Sequence, residues 1–185
     1  TWGLFAEIIQ RSQSVFLDNA NLLKKLSFPR LTLPVIVVAT ALLNFAIVFG
    51  LFLVFLLITG SFPGVAILAM IPLLAVQVLF AVGLGITLGV LNVFFRDAGQ
   101  LSGLMLQFWF WATPIVYTAS ILPEWVKPWM NLNPMYHFMQ GYQNIFVASR
   151  WPDWQNFALL AVFSTVLAMY AVNLFRRHAG EIVDE

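Results

Sequence analysis

Residues 32–64 read TLPVIVVATALLNFAIVFGLFLVFLLITGSFPG, and this stretch contains no charged side chain. It belongs to a longer uncharged run, 31–95, in a chain that is 61% hydrophobic and only 9% charged. Average soluble domains carry roughly 25% charged residues. Because polar residues must cover the exterior of a soluble fold, this composition indicates an integral membrane protein. The sequence therefore predicts an all-α fold, a polytopic bundle of membrane helices.

The uncharged runs divide into four predicted spans. A membrane helix needs about 20 apolar residues, and the run 31–95 is too long for one helix. The sequence GSFPG at 60–64 divides this run, because closely spaced glycine and proline interrupt helices. The predicted spans are 33–59, 65–95, 98–121 and 155–175.

The uncharged run 128–149 is rich in polar residues and is predicted not to cross the membrane. Asn133 suits the N-cap of a helix and Pro134 suits its first position, so a helix is predicted to begin there. A helix of roughly 15 residues is too short to span a bilayer. The sequence therefore predicts interfacial or re-entrant helices within 122–154.

The distribution of Lys and Arg orients the predicted spans. Cytoplasmic loops carry an excess of these residues, and alternate sides of this chain hold seven against two. This places 122–154 on the outer side and the tail 176–185 in the cytoplasm. The outer pair is Lys127 and Arg150, and the cytoplasmic set is Arg11, Lys24, Lys25, Arg30, Arg96, Arg176 and Arg177.

Several kinds of site are excluded by what the sequence lacks. No GxxxxGK[ST] phosphate loop is present, so the chain is predicted not to hydrolyse ATP and not to be an enzyme. It has no cysteine, no metal site is predicted, and a net charge of +1 argues against binding nucleic acid. No charged residue is expected at mid-membrane depth in any span. Proton-driven carriers usually need such a residue, so energy for transport is expected from elsewhere.

The segment NANLLKKLSFPR, residues 19–30, precedes the first predicted span and is amphipathic. Its leucines form one face of a short helix, and its two lysines point toward water. The helix would either lie on anionic lipid headgroups or dock into a soluble partner on the cytoplasmic side. Both interpretations stay open. The residues concerned are Leu22, Leu23, Lys24, Lys25 and Leu26.

The sequence FWFWATPIVY, residues 108–117, is the most aromatic part of the chain. Its first four residues lie about 9–14 Å deeper than Tyr117, below the belt that tryptophan forms at membrane interfaces. That belt explains outer tryptophans such as Trp125 and Trp129. Four consecutive aromatic residues point all around a helix, so some face neighbouring helices or a cavity. Aromatic faces can also contact sugar rings. Two roles for these residues therefore stay open: packing against neighbouring helices and lining a cavity.

Four motifs occur here in the order seen in polysaccharide-export permeases: ANLLKKLSFPRLTLPV, NVFFRDAGQ, FWFWATPIVY and LNPMYHFMQGYQNIF. Over nearly its whole length the chain resembles the permease subunit of ABC transporters that export lipid-linked polysaccharide, such as O-antigen lipopolysaccharide exporters of the type-2 permease class. Such permeases have six membrane helices, so the resemblance implies an N-terminally truncated chain in which 1–17 ends a preceding span. Glu7 and Arg11 make that segment more polar than a span should be.

The resemblance also implies partners and a location. Permeases of this kind are homodimers that work with two copies of a separate ATP-binding subunit. The chain itself is then expected to need no cofactor, because ATP is bound by the partner subunit. The implied cargo is a lipid-linked polysaccharide, and the implied location is the bacterial cytoplasmic (inner) membrane, crossed several times among membrane lipids.

Three groups of residues take roles by this resemblance. Residues 18–28 would form the coupling helix that transmits ATP-driven motion, with the leucines and lysines of the amphipathic segment as its contact residues. Residues 124–132 and 134–148 would form two outer gate helices, with Trp125, Trp129, Met135, Phe138 and Tyr142 as gate residues. The aromatic lining of the polysaccharide channel would be Phe108, Trp109, Phe110, Trp111 and Tyr117.

Three alternative functions fit parts of the same pattern. One is a type-2 ABC exporter of another substrate, such as teichoic acid or a small lipophilic drug. Another is a membrane glycosyltransferase or polymerase acting on lipid-linked sugar, which would need paired carboxylates or basic residues at the membrane surface. The third is a membrane scaffold that transports nothing. The number of deep aromatic residues favours a sugar polymer over a drug.

Overall fold

The structure is a computed structural model, and it describes residues 1–19, 32–95, 97–117 and 121–178. The predicted coupling residues Leu22, Leu23, Lys24, Lys25 and Leu26 lie outside the described residues, as do residues 179–185 of the predicted tail. The described elements are all helical. They are α1 (Trp2–Asp18), α2 (Thr32–Ile58), a 3-10 helix (Gly64–Ala69), α3 (Met70–Phe94), α4 (Ala98–Ala112), α5 (Lys127–Met130), α6 (Pro134–Phe146) and α7 (Trp154–His178).

Three helical segments among the described residues are long and apolar enough to cross a membrane: Thr32–Ile58, Gly64–Phe94 and Trp154–His178. They match three of the four predicted spans within a few residues at each end. Most of α2 is exposed, with apolar side chains such as Val54 and Ile58 on its surface. In a bilayer such a surface is solvated by lipid tails, so this exposure is compatible with a membrane helix.

The fourth predicted span, 98–121, corresponds to a shorter helix. α4 has 15 residues and ends at Ala112, and Thr113 is extended with φ −106 and ψ 130. Pro114 explains this end, because proline disfavours the helical conformation of the residue before it. The predicted span 98–121 is therefore not one continuous helix.

Helix α3 lies at the centre of the bundle, between α1 and α7. Small residues let α1 approach it closely. A Cβ atom added at Gly85 would lie 2.7 Å from Ser12 Cβ, and one added at Gly89 would lie 2.6 Å from the Ser12 carbonyl oxygen. The Gly85-x-x-x-Gly89 spacing therefore serves packing within the bundle.

Aromatic rings join the helices at two levels of the core. At the level of α6, Phe80 of α3 stacks on Phe5 with ring centroids 5.5 Å apart and on Phe138 at 6.0 Å. At the end predicted to face the cytoplasm, Phe16 of α1 stacks on Phe175 of α7 at 5.0 Å. One packed unit is thus formed by α1, α3, α6 and α7, and α4 packs against it.

Candidate functional site

The four consecutive aromatic residues of α4 have different surroundings. Phe108 and Trp111 are 73% and 59% exposed, and the exposed Gln107 lies beside them. Phe110 is half-buried, with its ring centroid 5.6 Å from that of Trp2 on α1. Only part of the predicted channel lining therefore lies on the open face of this helix.

Trp109 is the member of this set that faces the bundle. Its indole ring meets Phe5 edge-on at 5.5 Å and Phe80 edge-on at 6.3 Å. Its Nε1 donates a hydrogen bond of 2.8 Å to Oδ1 of Asn133. These contacts give Trp109 a packing environment, although the sequence does not distinguish it from its neighbours.

Asn133 connects the end of α4 to the beginning of α6. Its Oδ1 also accepts from the backbone N–H of Met135 at 3.0 Å, so Asn133 is the predicted N-cap, with Pro134 at the start of the helix. Its Nδ2 donates to Oγ1 of Thr113 at 2.9 Å. The prediction of this helix start is confirmed, while the contact with α4 was not predicted.

The predicted gate residues divide into buried and exposed groups. Met135, Phe138 and Tyr142 are buried on the inner face of α6. The hydroxyl of Tyr142 donates a 2.6 Å hydrogen bond to Oε1 of the buried Gln77 on α3, which fixes α6 to the bundle. By contrast, Trp125 and Trp129 are exposed. The predicted helix over 124–132 is observed as one short helix, α5. The predicted helix over 134–148 is observed as α6.

Tyr117 lies just beyond α4, in non-helical chain. It is half-exposed, and its hydroxyl donates a 2.9 Å hydrogen bond to the backbone carbonyl of Trp111. This bond folds the chain after Pro114 back toward the exposed face of α4. Tyr117 and Trp111 therefore stay neighbours, as the predicted lining requires.

A second set of polar contacts joins α1, α3 and the first turn of α4. Asn92 of α3 donates to the carbonyl of Gln13 at 2.9 Å and accepts from the N–H of Gly99 at 2.8 Å. The side-chain amide of Gln13 donates a hydrogen bond to the carbonyl of Gly99 at 3.2 Å. The hydroxyl of Ser102 donates a hydrogen bond to Oε1 of Gln13. We call these residues the inner polar junction. It couples α1 to α4 on the side predicted to face the cytoplasm.

An ion pair on α1 contacts the middle of α2. Glu7 Oε1 lies 2.9 Å from a guanidinium nitrogen of Arg11 and accepts a 2.8 Å hydrogen bond from Nδ2 of Asn44. Asn44 lies near the middle of α2, one of the three helices able to cross a membrane. Glu7 therefore contacts the middle of a predicted span, although the four predicted spans themselves contain no charged residue. The sequence shows Glu7 and Arg11 but not Asn44 as their neighbour, because the partners are far apart in the chain.

Comparisons with known proteins agree on one family. Residues 1–147 match the family described as ABC-2 type transporter. The chain is 34% identical over 185 residues to the O-antigen export system permease protein RfbA of Myxococcus xanthus, covering 99% of this chain and 71% of that protein. It is 28% identical over 177 residues to a protein of the same name from Klebsiella pneumoniae, covering 95% and 68%. The resemblance seen in the motifs is confirmed, and the chain belongs to the ABC-2 type transporter membrane family.

Proposed function

We propose that this chain is the permease subunit of an ABC exporter that moves a lipid-linked polysaccharide of the O-antigen class across the bacterial cytoplasmic membrane. Two relatives that cover most of this chain carry the name of O-antigen export permeases, which supports the cargo class. The family implies an ATP-binding partner, and in this proposal that partner supplies both the ATP site and the energy. The chain itself then holds no cofactor.

The observation that carries the proposal is the open face of α4. Phe108, Trp111 and the amide of Gln107 lie together on a helix that packs only lightly on the bundle. An amide exposed to lipid tails is costly, so this face is better suited to water, a polymer or another subunit. Flat rings beside hydrogen-bonding amides match a sugar chain, which presents apolar C–H faces and hydroxyl edges.

Two copies of the permease would bring two such faces together. In the proposed homodimer, the α4 faces line a shared path, and each permease binds one of two ATP-binding subunits. Phe108, Trp111 and Tyr117 form the lining, whereas Trp109 mainly holds α4 in place.

Motion of the ATP-binding subunit can be transmitted through α1 to the open face of α4. α1 ends at Asp18, where the proposed coupling helix 18–28 begins in the sequence. Near that end the inner polar junction ties Gln13 of α1 to Gly99 and Ser102 of α4. Displacement of α1 would therefore move α4 directly rather than through lipid.

The outer helices would act as the gate of the path. α6 is fixed to α3 through Tyr142 and Gln77, so it serves as the stationary part. Trp125 and Trp129 precede it on exposed chain and would contact the polymer or the lipid interface. In this proposal the gate opens by movement of 121–132 against a fixed α6.

The test is reconstitution of the permease with its ATP-binding subunit. We expect the two to copurify and the complex to hydrolyse ATP faster when the lipid-linked glycan is added. A matched preparation without the ATP-binding subunit should hydrolyse none. ATP hydrolysis by the permease alone, or a transfer of sugar to lipid by the permease, would contradict the proposal.

A further inference from the structure

Helix α1 carries a polar stripe on its open side. Glu7, Gln10, Arg11 and Ser14 recur at intervals of three and four residues, which places them on one face of the helix. The opposite face, with residues such as Ile8, is buried against α3. Polar side chains within membrane helices face protein or a water-filled cavity rather than lipid. The stripe therefore indicates that something polar meets α1 on this side.

A cavity lies at the Glu7 end of this stripe, between α1, α2 and α6, and Glu7 is the stripe residue that lines it. Its volume is about 610 Å³, within the range of roughly 300–1,000 Å³ typical of small-molecule sites. Glu7 and Asn44 lie at one end, and Phe52 and Phe146 lie toward the end predicted to face outward. Along α2 the distance from Asn44 to Phe52 is about 12 Å at 1.5 Å per residue.

The wall of the cavity is aromatic. Phe45 and Phe49 of α2 stack at 5.4 Å with their planes 12° apart. Phe146 of α6 meets Phe49 edge-on at 5.9 Å and Phe52 edge-on at 5.5 Å. These four rings form a second aromatic surface, distinct from that of α4.

The charged end retains free hydrogen-bonding capacity on its open side. Glu7 and Arg11 have side chains 26% and 47% exposed. A carboxylate accepts several hydrogen bonds and a guanidinium donates five, so one ion pair and one amide contact leave capacity unused. Arg11 pairs with Glu7 from outside the cavity wall and neutralises its charge, so the cavity attracts neither free anions nor cations. Its chemistry is that of a site for neutral hydroxyl groups.

We propose that this cavity is a saccharide subsite, in which Glu7 and Asn44 bind sugar hydroxyls and the phenyl rings pack on sugar faces. This inference rests on the proposed function, because it assigns part of the same cargo to a second place. An acyl chain would fill the aromatic part but would leave the unused hydrogen-bonding capacity of Glu7 and Asn44 unsatisfied.

The test uses two adjacent residues of α2 and the absence of cysteine from this chain. Val48 lines the cavity and Ile47 does not, although their exposed fractions are 68% and 66%. In the complete transporter in membranes, Val48→Cys should react with a charged, water-soluble methanethiosulfonate at least about tenfold faster than Ile47→Cys, because charged reagents are excluded from lipid. Equal, slow reaction at both positions would overturn the inference.

Cross-linking then identifies the occupant. The same cysteines are labelled with a benzophenone maleimide and irradiated during glycan export, and adducts are analysed for sugar and for lipid. We expect glycan adducts at Val48→Cys and lipid adducts at Ile47→Cys. Phe52→Cys provides a second cavity position if Val48→Cys is poorly produced. Lipid adducts alone at the cavity positions would overturn the inference.

A third labelled position separates this inference from the proposed function. Trp111→Cys lies on the open face of α4, outside the cavity. Glycan adducts there but not in the cavity would leave the proposed function intact and refute the subsite. If export continues and no position yields glycan, both the α4 lining and the subsite are refuted.

Glu7→Gln, which keeps the acceptor for Asn44 but loses the charge, should slow export about tenfold with an unchanged melting temperature.

Discussion

The indole Nε1 of Trp109 donates a 2.8 Å hydrogen bond to Oδ1 of Asn133, and this bond joins the aromatic helix α4 to the start of α6. The same oxygen caps α6 through Met135, and the Asn133 amide nitrogen holds Thr113, where α4 ends. One side chain therefore sets the position of both elements next to the proposed path.

Replacement of Asn133 with alanine should destabilise the bundle. The change removes an N-cap and leaves the Trp109 N–H without this acceptor, so we expect a loss of about 2–4 kcal/mol in the free energy of unfolding. Thermal melting of the purified subunit in detergent measures it. Asn133→Asp keeps the acceptor and should lose less than half as much. Equal melting temperatures for Asn133→Ala and the unchanged protein would contradict the role of this contact.

Alanine at Gly89 should be much more harmful than alanine at Gly103. The new Cβ at Gly89 would lie 2.6 Å from the Ser12 carbonyl oxygen, whereas at Gly103 it would meet nothing within 4 Å. We expect Gly89→Ala to cost about 1–3 kcal/mol through overpacking. Gly103→Ala should be neutral or slightly stabilising, because alanine favours the helix. Similar melting temperatures for the two variants would show that α1 is not so close to α3.

Removal of the Tyr142 hydroxyl should leave a buried acceptor in the core without its hydrogen-bond donor. Tyr142→Phe leaves Oε1 of the fully buried Gln77 without its donor, at an expected cost of about 1–3 kcal/mol. The matched control is Tyr136→Phe, because Tyr136 accepts a hydrogen bond from Gln140 at the surface. That variant should stay within about 0.5 kcal/mol of the unchanged protein. Urea or thermal unfolding of both variants, measured side by side, decides the point.

The aromatic residues of α4 should separate into two classes when changed. Trp109→Ala removes a packed ring and should cost about 3–5 kcal/mol of stability. Phe108→Ala and Trp111→Ala should leave the melting temperature nearly unchanged but reduce export of long glycans. The measurements are melting in detergent and the length distribution of surface glycan. Normal glycan export by a Phe108→Ala, Trp111→Ala double variant would refute the proposed lining.

The proposed coupling helix offers a test of energy transfer. Aspartate at Leu22 and Leu23 places charge on its apolar face, so we expect loss of export and of copurification with the ATP-binding subunit, while membrane insertion persists. A control with aspartate at Lys24 keeps the apolar face and should retain more binding. Unchanged export by the Leu22→Asp, Leu23→Asp variant would count against coupling at this segment.

Much of the fold follows from local sequence signals. Uncharged runs locate the three long membrane helices, and Asn133 followed by Pro134 locates the start of α6. Pro114 also carries a local signal, since it marks the end of α4, but hydrophobicity alone extends the predicted span past it. Local chemistry therefore determines where helices begin and end.

The rotation and partners of each helix do not follow from such signals. Phe108 and Trp109 are neighbours of similar chemistry, and only the packing of α4 on α1 and α3 decides which of them is exposed. In the same way, the sequence does not show that Glu7 contacts Asn44 near the middle of α2. These relations depend on tertiary contacts between distant parts of the chain, and the roles of the channel, gate and coupling residues stay predictions.

The early end of α4 has a consequence for the thickness of the barrier. A helix of 15 residues rises about 22 Å, while the hydrocarbon core of a bilayer is about 30 Å thick. Beyond Thr113 the proposed path is bordered by non-helical chain and by the polar start of α6. A hydrated polymer on the proposed path would therefore traverse a low-dielectric zone shorter than the bilayer core, which lowers the electrostatic work of its passage.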